Sequence, residues 1–224
     1  MSLDTLVNAL PQLVNGLAVT LLLTAAGITM GTTLGVVFAF GRTFAGRILS
    51  SLILVYEKIF RGIPLIVLFF ILYFGLPQIG LDIDALSAAV LGLGLRSAAY
   101  QAQIYRGSIN AIPSGQLSAA YSLGMSKLKA IRFVIFPQMM RLSLPGWSNE
   151  FTILLKDTSL AFGIGVIELM RQGNYIQVRD PNLVLPVFLI IAAIYLALVL
   201  TANKILKYLD GKYRMVGYQP EAHR

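Results

Sequence analysis

No residue between Thr5 and Gly41 carries a charge, and the part from Val14 to Phe40 is apolar. At about 1.5 Å per helical residue it is long enough to cross a hydrocarbon core of ~30 Å. A chain that opens this way folds in lipid, where backbone groups must be satisfied internally and helices are the ready solution. The composition agrees, with 57% hydrophobic and 12% charged residues and a mean hydropathy of +0.75. Soluble domains carry roughly twice that share of charge. No Lys or Arg precedes Arg42, so the opening stretch lacks the basic start of a cleaved signal peptide and is expected to stay as a span.

The apolar pattern predicts an all-α, polytopic membrane protein with five transmembrane helices. They cover about 14–40, 50–75, 85–105, 142–167 and 183–202, within one transmembrane domain spanning 1–224. Pro64 is expected to bend the second, and Leu76 to Leu81 reads as a turn. Lys and Arg gather on one side of these spans. Residues 41–50, 106–141 and 204–224 hold twelve, against two (Arg171 and Arg179) on the other side. The positive-inside bias then puts the N-terminus outside and the C-terminus inside. The net charge of +8 is read as this topology and not as a nucleic-acid surface, because no basic run or arm is formed.

The chain has no cysteine, and its one histidine, His223, is next to the C-terminus. No catalytic residue and no metal site is expected. No phosphate loop of the Gly-x-x-x-x-Gly-Lys-Ser/Thr kind occurs, nor a His-Glu-x-x-His or Gly-x-Ser-x-Gly pattern. Any ATP used must be bound by another subunit.

Ionisable groups inside spans are costly unless they face protein or water. Arg96, Tyr100 and Gln103 share one face of the third span, with Gly107 continuing the line. Glu150 and Asp157 share one face of the fourth, and Asn149 and Lys156 the neighbouring face. A guanidinium opposite carboxylates suits a zwitterion along a substrate path. The alternative is that Arg96, Glu150, Lys156 and Asp157 pair with each other to hold helices together. Glu57, Lys58 and Arg61, nearer the cytoplasmic end, are read as structural and snorkelling groups.

Between Pro113 and Pro137 lies a polar, small-residue insert with a basic second half. Ser114 reads as an N-cap, and a short helix to Leu123 carries Leu117, Ala120 and Leu123 or Tyr121 on one side. Gly124 ends it in a left-handed conformation. A second helix starts at Ser126, places Lys127, Lys129 and Arg132 early, and stops at Pro137. Such an element suits a groove on a soluble partner.

This insert resembles the EAA loop of ABC importer permeases. The pattern falls on Ser118, Ala119 and Ala120, then Gly124, then Val134, Phe136 and Pro137, with Ser118 in place of the family's Glu. The segments FRGIPLIVLFFILYFGLP, AAYQAQIYRGSINAIPSGQ and LLKDTSL resemble the polar amino acid branch, except that Gln103 stands where members commonly carry Glu. The resemblance implies a permease subunit of the prokaryotic inner membrane that hands an amino acid inward from an extracytoplasmic binding protein. It implies two ATP-binding subunits docked on residues 113–137 through Ser118, Ala119, Ala120, Gly124, Lys127 and Pro137. A second permease, identical or homologous, and membrane lipid complete the set, and no enzyme activity falls to this chain. A permease for another small solute, a proton-coupled secondary transporter or channel, and a membrane scaffold are the other readings.

Overall fold

The computed structural model describes residues 2–213, with side chains from Leu10 onward. His223, Arg214 and Arg224 lie outside that range. The described chain is all helical: α1 (Ser2–Phe44), α2 (Arg47–Gly62), α3 (Leu65–Phe70), α4 (Ala85–Ala111), α5 (Ser114–Ser122), α6 (Lys127–Ala130), α7 (Phe136–Asp157), α8 (Leu169–Arg179) and α9 (Val184–Tyr213).

Two segments, Leu10–Phe44 and Pro181–Tyr213, combine the length and apolarity needed to cross a membrane. The protein is thus an all-α membrane protein. Helices α4 and α7 are long enough, at 27 and 22 residues, but carry more polar side chains because they sit inside the bundle. The stretch expected as one bent second span is two helical pieces, Arg47–Gly62 and Leu65–Ile79, which meet at 104°. A proline kink within a helix is far gentler. Here the chain leaves the helix altogether, with Ile63 at φ −85°, ψ 130° and Pro64 at φ −57°, ψ 136°, as expected of a residue preceding proline.

The bundle is organised on α1 and α4. Gly27, Gly31 and Gly35, four apart, form one stripe on α1. A Cβ built at Gly31 would lie 2.7 Å from the Ser97 side chain and the Gln101 amide, and one at Gly35 2.8 Å from Gln101 Cβ. Small residues in this spacing let helix backbones approach closely where lipid offers no hydrophobic driving force. The contact encloses a polar network. Gln101, fully buried, accepts from Thr32 Oγ1 (2.9 Å) and Tyr105 OH (2.9 Å) and donates to Ser97 Oγ (3.0 Å); Trp147 Nε1 donates to Thr32 Oγ1 (2.9 Å). Three helices are thereby tied by one satisfied set of hydrogen bonds.

Around this seam the apolar core collects Leu23, Phe69, Ala88, Leu93 and Leu154. A second cluster binds α8 and α9 to the start of α1 through Leu13, Leu169, Ile176 and Val187. Helix α9 leaves Leu185, Leu189, Leu196 and Leu200 exposed, the surface a membrane helix offers to lipid.

Candidate functional site

Two groups of residues stand apart from core packing, one inside the bundle and one at the end where α1 finishes.

The interior group joins α4 to α7. Arg96 Nη1 and Asp157 Oδ2 form an ion pair, and both side chains stay about one-fifth exposed (21% and 23%). Tyr100 lies one turn along α4, its ring centroid 5.1 Å from Arg96 Cζ and 5.0 Å from Arg61 Cζ. Two guanidiniums share one ring, an arrangement favoured by the ring quadrupole. Glu150 is buried on the same face of α7, beside Ser97. Mutual pairing of these charges is therefore realised for Arg96 and Asp157. It does not extend to Lys156, which is exposed, nor to Asn149, which is exposed on the α9 side of α7. Asn149 lines a cleft of about 350 Å³ with Ser148, Thr152, Asn203, Lys207 and Asp210. The seven candidate residues thus fall into separate places.

Gln103 points elsewhere. Its amide donates to Glu57 Oε2 at 3.4 Å, and Glu57 in turn accepts from Arg42 Nη1 at 2.7 Å. Glu57 is fully buried and Arg42 nearly so (0% and 12% exposed). Read along the sequence, Glu57 looked like a snorkelling neighbour of Lys58 and Arg61. Its position on the inner side of α2, beside Ile53 one turn earlier, was the available signal.

The second group forms the end element. Pro113 occupies the N-cap position of α5 in place of the expected Ser114, which is the first helical residue. At the other end Gly124 has φ +74°. Its N–H donates to Tyr121 O (2.9 Å) and that of Met125 to Ala120 O (3.1 Å), the paired bonds of a Schellman turn. Leu117 and Ala120 pack inward, while Tyr121 and Leu123 are exposed. Ser118 and Ala119 are exposed, and the Ser118 hydroxyl bonds back to Ser114 O at 3.3 Å.

The second helix does not stop at Pro137. It runs on into α7, because Ile131–Ile135 form a wide π turn in which Phe136 N–H reaches Ile131 O. That looser turn accommodates a residue with no N–H to give. Lys127 turns back onto the end of α1, donating to Phe44 O at 2.8 Å with its ammonium 5.9 Å from the Phe44 ring. A cation at a helix C-terminus meets the negative end of the macrodipole.

A helical bundle with a short helix–turn–helix at one end and charges sequestered inside is the architecture of a membrane transport subunit. Residues 31–215 match the family described as binding-protein-dependent transport system inner membrane component, and the chain belongs to it. The glutamine transport system permease protein GlnP of Escherichia coli (strain K12) is 36% identical, over 93% of this chain and 95% of its own. The L-cystine transport system permease protein TcyB of Bacillus subtilis (strain 168) is 37% identical, over 83% and 79%. A solved amino acid ABC transporter with histidines superposes with a TM-score of 0.84 at 36% identity, covering 92% of this chain and 96% of that one. The methionine transporter MetNI, at 19% identity and a TM-score of 0.70, shares the fold.

The chain is accordingly an ABC importer permease subunit, multi-pass in the bacterial inner membrane. ATP is bound and hydrolysed by a separate subunit of such an importer, and substrate arrives from an extracytoplasmic binding protein.

Proposed function

We propose that this permease moves an amino acid into the cytoplasm through five spans, at about 14–40, 50–75, 85–105, 142–167 and 183–202, with the N-terminus outside and the C-terminus inside. The names of its relatives, glutamine and cystine permeases among them, support that substrate class. Residues 113–137 form the cytoplasmic coupling loop. Two ATP-binding subunits receive it, and a second permease, identical or homologous, shares the path. Closing and opening of the ATPases rocks the bundle between outward and inward states.

The observation that carries this reading is the end element itself. Around its Schellman turn, Leu123 (78% exposed), Leu128 (75%) and Phe133 (63%) stand bare beside Ser118 and Ala119, on the side where Lys and Arg accumulate. Bare apolar side chains on a basic, water-facing element are a partner surface. Ser118 is short and bonded to its own helix, so docking there rests on shape and apolar contact more than on a carboxylate. In the interior, Arg96, Tyr100, Glu150 and Asp157 line the path, the Arg96–Asp157 pair opening to take the carboxylate and ammonium of the substrate. Gln103, turned to Glu57, Asn149, turned to the α9 side, and the exposed Lys156 lie off that line.

The test is reconstitution with an ATPase subunit and binding protein, followed by uptake of a panel of labelled amino acids. ATP-dependent uptake that ignores a proton uncoupler is expected; uptake abolished by the uncoupler makes this a secondary transporter. Within that system Gly124→Val should abolish uptake and ATPase co-purification while leaving membrane insertion intact. Nothing lies within 4 Å of the added Cβ, so the defect is the left-handed backbone that a β-branched residue resists. Full uptake by this variant rules out the turn as the coupling element.

A further inference from the structure

Four buried side-chain atoms among the described residues have no hydrogen-bond partner: Arg42 Nε, Glu57 Oε1, Arg106 Nε and Arg171 Nε. Three of them lie on the three helices that meet around Glu57, α1, α2 and α4. Arg42 is in the last turn of α1, Glu57 is in the middle of α2, and Arg106 is one turn beyond Gln103 on α4, the helix from which Gln103 reaches Glu57. Glu57 uses one oxygen only, for Arg42 at 2.7 Å and the Gln103 amide at 3.4 Å. Arg106 makes no ion pair among the described residues.

An ion pair built for rigidity has its remaining lone pairs and N–H groups filled, because each buried one left open is costly. Here a free carboxylate oxygen and a free guanidinium nitrogen sit on facing helices. We propose that Glu57 exchanges arginine partners during transport, held by Arg42 in this conformation and by Arg106 in the alternate one. The inference rests on the permease reading and adds the residues that link its two ends.

The connections on either side of the junction give the exchange its consequence. Lys127 of the coupling element is bonded to Phe44 O, in the same terminal turn as Arg42. Movement of that element therefore pulls directly on the Arg42 side of the pair. On the other side, Arg61 lies one turn beyond Glu57 on α2 and rests on Tyr100, which also faces Arg96 and so Asp157. When α2 changes its hold from α1 to α4, Arg61 shifts against Tyr100. Gln103 suits the exchange, since an acid there would set two carboxylates against each other, whereas a neutral amide leaves Glu57 to pair with either arginine.

The chain has no cysteine, so introduced pairs react alone. In the complex reconstituted with its ATPase subunits, R42C/E57C and E57C/R106C are treated with a short bifunctional methanethiosulfonate, without nucleotide and after trapping with MgATP and vanadate. The cross-link yield of the first pair should fall and that of the second rise between the two states; an unchanged ratio overturns the exchange.

Uptake supplies a second measurement should the cysteine pairs fail to assemble. E57Q and R106Q should each lower ATP-driven uptake about tenfold, and the double variant should be no worse than either, as for residues acting in one interaction. Wild-type uptake by R106Q, or losses that multiply in the double variant, overturns the proposal. Failure of the wild-type complex to bind an ATPase or to transport tells instead against the permease reading.

Discussion

Glu57 and Glu168 are both fully buried carboxylates, one at each end of α1, and they are treated oppositely. Glu168 caps α8: Oε1 accepts from Arg171 N (2.8 Å), and Oε2 accepts from Met170 N (2.8 Å) and Tyr195 OH (3.3 Å). Beside it, Leu169 N donates to Thr20 Oγ1 (3.2 Å), and α1 comes so close that a Cβ at Gly16 would lie 2.9 Å from Leu169 Cα. Every oxygen is occupied and three helices are held. Glu57 leaves one oxygen empty, and Arg42 beside it also has a nitrogen to spare. A filled network fixes geometry, while a half-filled one leaves the junction a second arrangement to adopt. The end of the bundle at Glu168 is in this sense an anchor, and the end at Glu57 a joint.

The strongest way to break this contrast is Glu168→Ala, which strands two backbone N–H groups and a tyrosine hydroxyl. At about 1 kcal/mol per lost bond, roughly 3 kcal/mol of stability should go, read as a lower thermal midpoint of the purified complex; a midpoint near wild type dissolves the anchor.

Acidity gives the next test. Burial pushes the Glu168 carboxyl up from 4.5 to about 7, against the pull of the Met170 and Arg171 N–H groups and Tyr195. The folded state then holds a proton between those values that the unfolded chain releases. Stability should therefore fall as pH rises from about 4.5 to 7 and level off above, by something on the order of 3 kcal/mol. Glu168→Gln should lack that slope, and an identical slope in the variant would assign it to other groups.

The joint should behave differently. Arg42→Met with Glu57→Leu removes both charges together, and such replacements of buried pairs are commonly neutral or stabilising. The thermal midpoint should hold within about 1 kcal/mol while ATP-driven uptake is lost; a large loss of stability would make Glu57 a second anchor. The smallest effect is expected of Lys127→Ala, which removes one exposed helix-end contact worth ~0.5 kcal/mol. It should leave the midpoint unchanged and raise ATP hydrolysis per molecule transported, and an unchanged ratio would cut the link between the helix–turn–helix and α1.

Much of this architecture was legible in the residue order. The charge-free run from Thr5 to Gly41 and the apolar run from Leu183 to Ala202 required helices in lipid, and they are the helices whose length and apolarity meet that requirement. Gly124 was readable as a left-handed helix end, because among residues after a short polar helix glycine alone takes that conformation without strain. Its φ of +74° agrees. The Gly27, Gly31, Gly35 stripe was also there to be read as a helix contact, but its partner was not, since spacing gives a face and not what lies against it.

The charges were harder. Periodicity grouped Arg96, Tyr100 and Gln103 within one arc of α4, yet Arg96 reaches α7 and Gln103 reaches α2. An arc of about 60° on a helix is wide enough to meet two different neighbours. Glu57 and Lys58 are adjacent in the chain, but one is fully buried and the other exposed. The break at Ile63 and Pro64 follows from local sterics, whereas the 104° turn there goes with α2 packing against α1 and α4.

Composition, apolar runs and turn residues thus determined that the chain is a membrane bundle with a helix–turn–helix at one end, because those properties act over a few neighbouring residues. Which buried carboxylate is saturated and which is left with an open oxygen was decided only when helices distant in sequence came together. Hydrogen-bond satisfaction is a property of the assembled neighbourhood, and no single segment contains it.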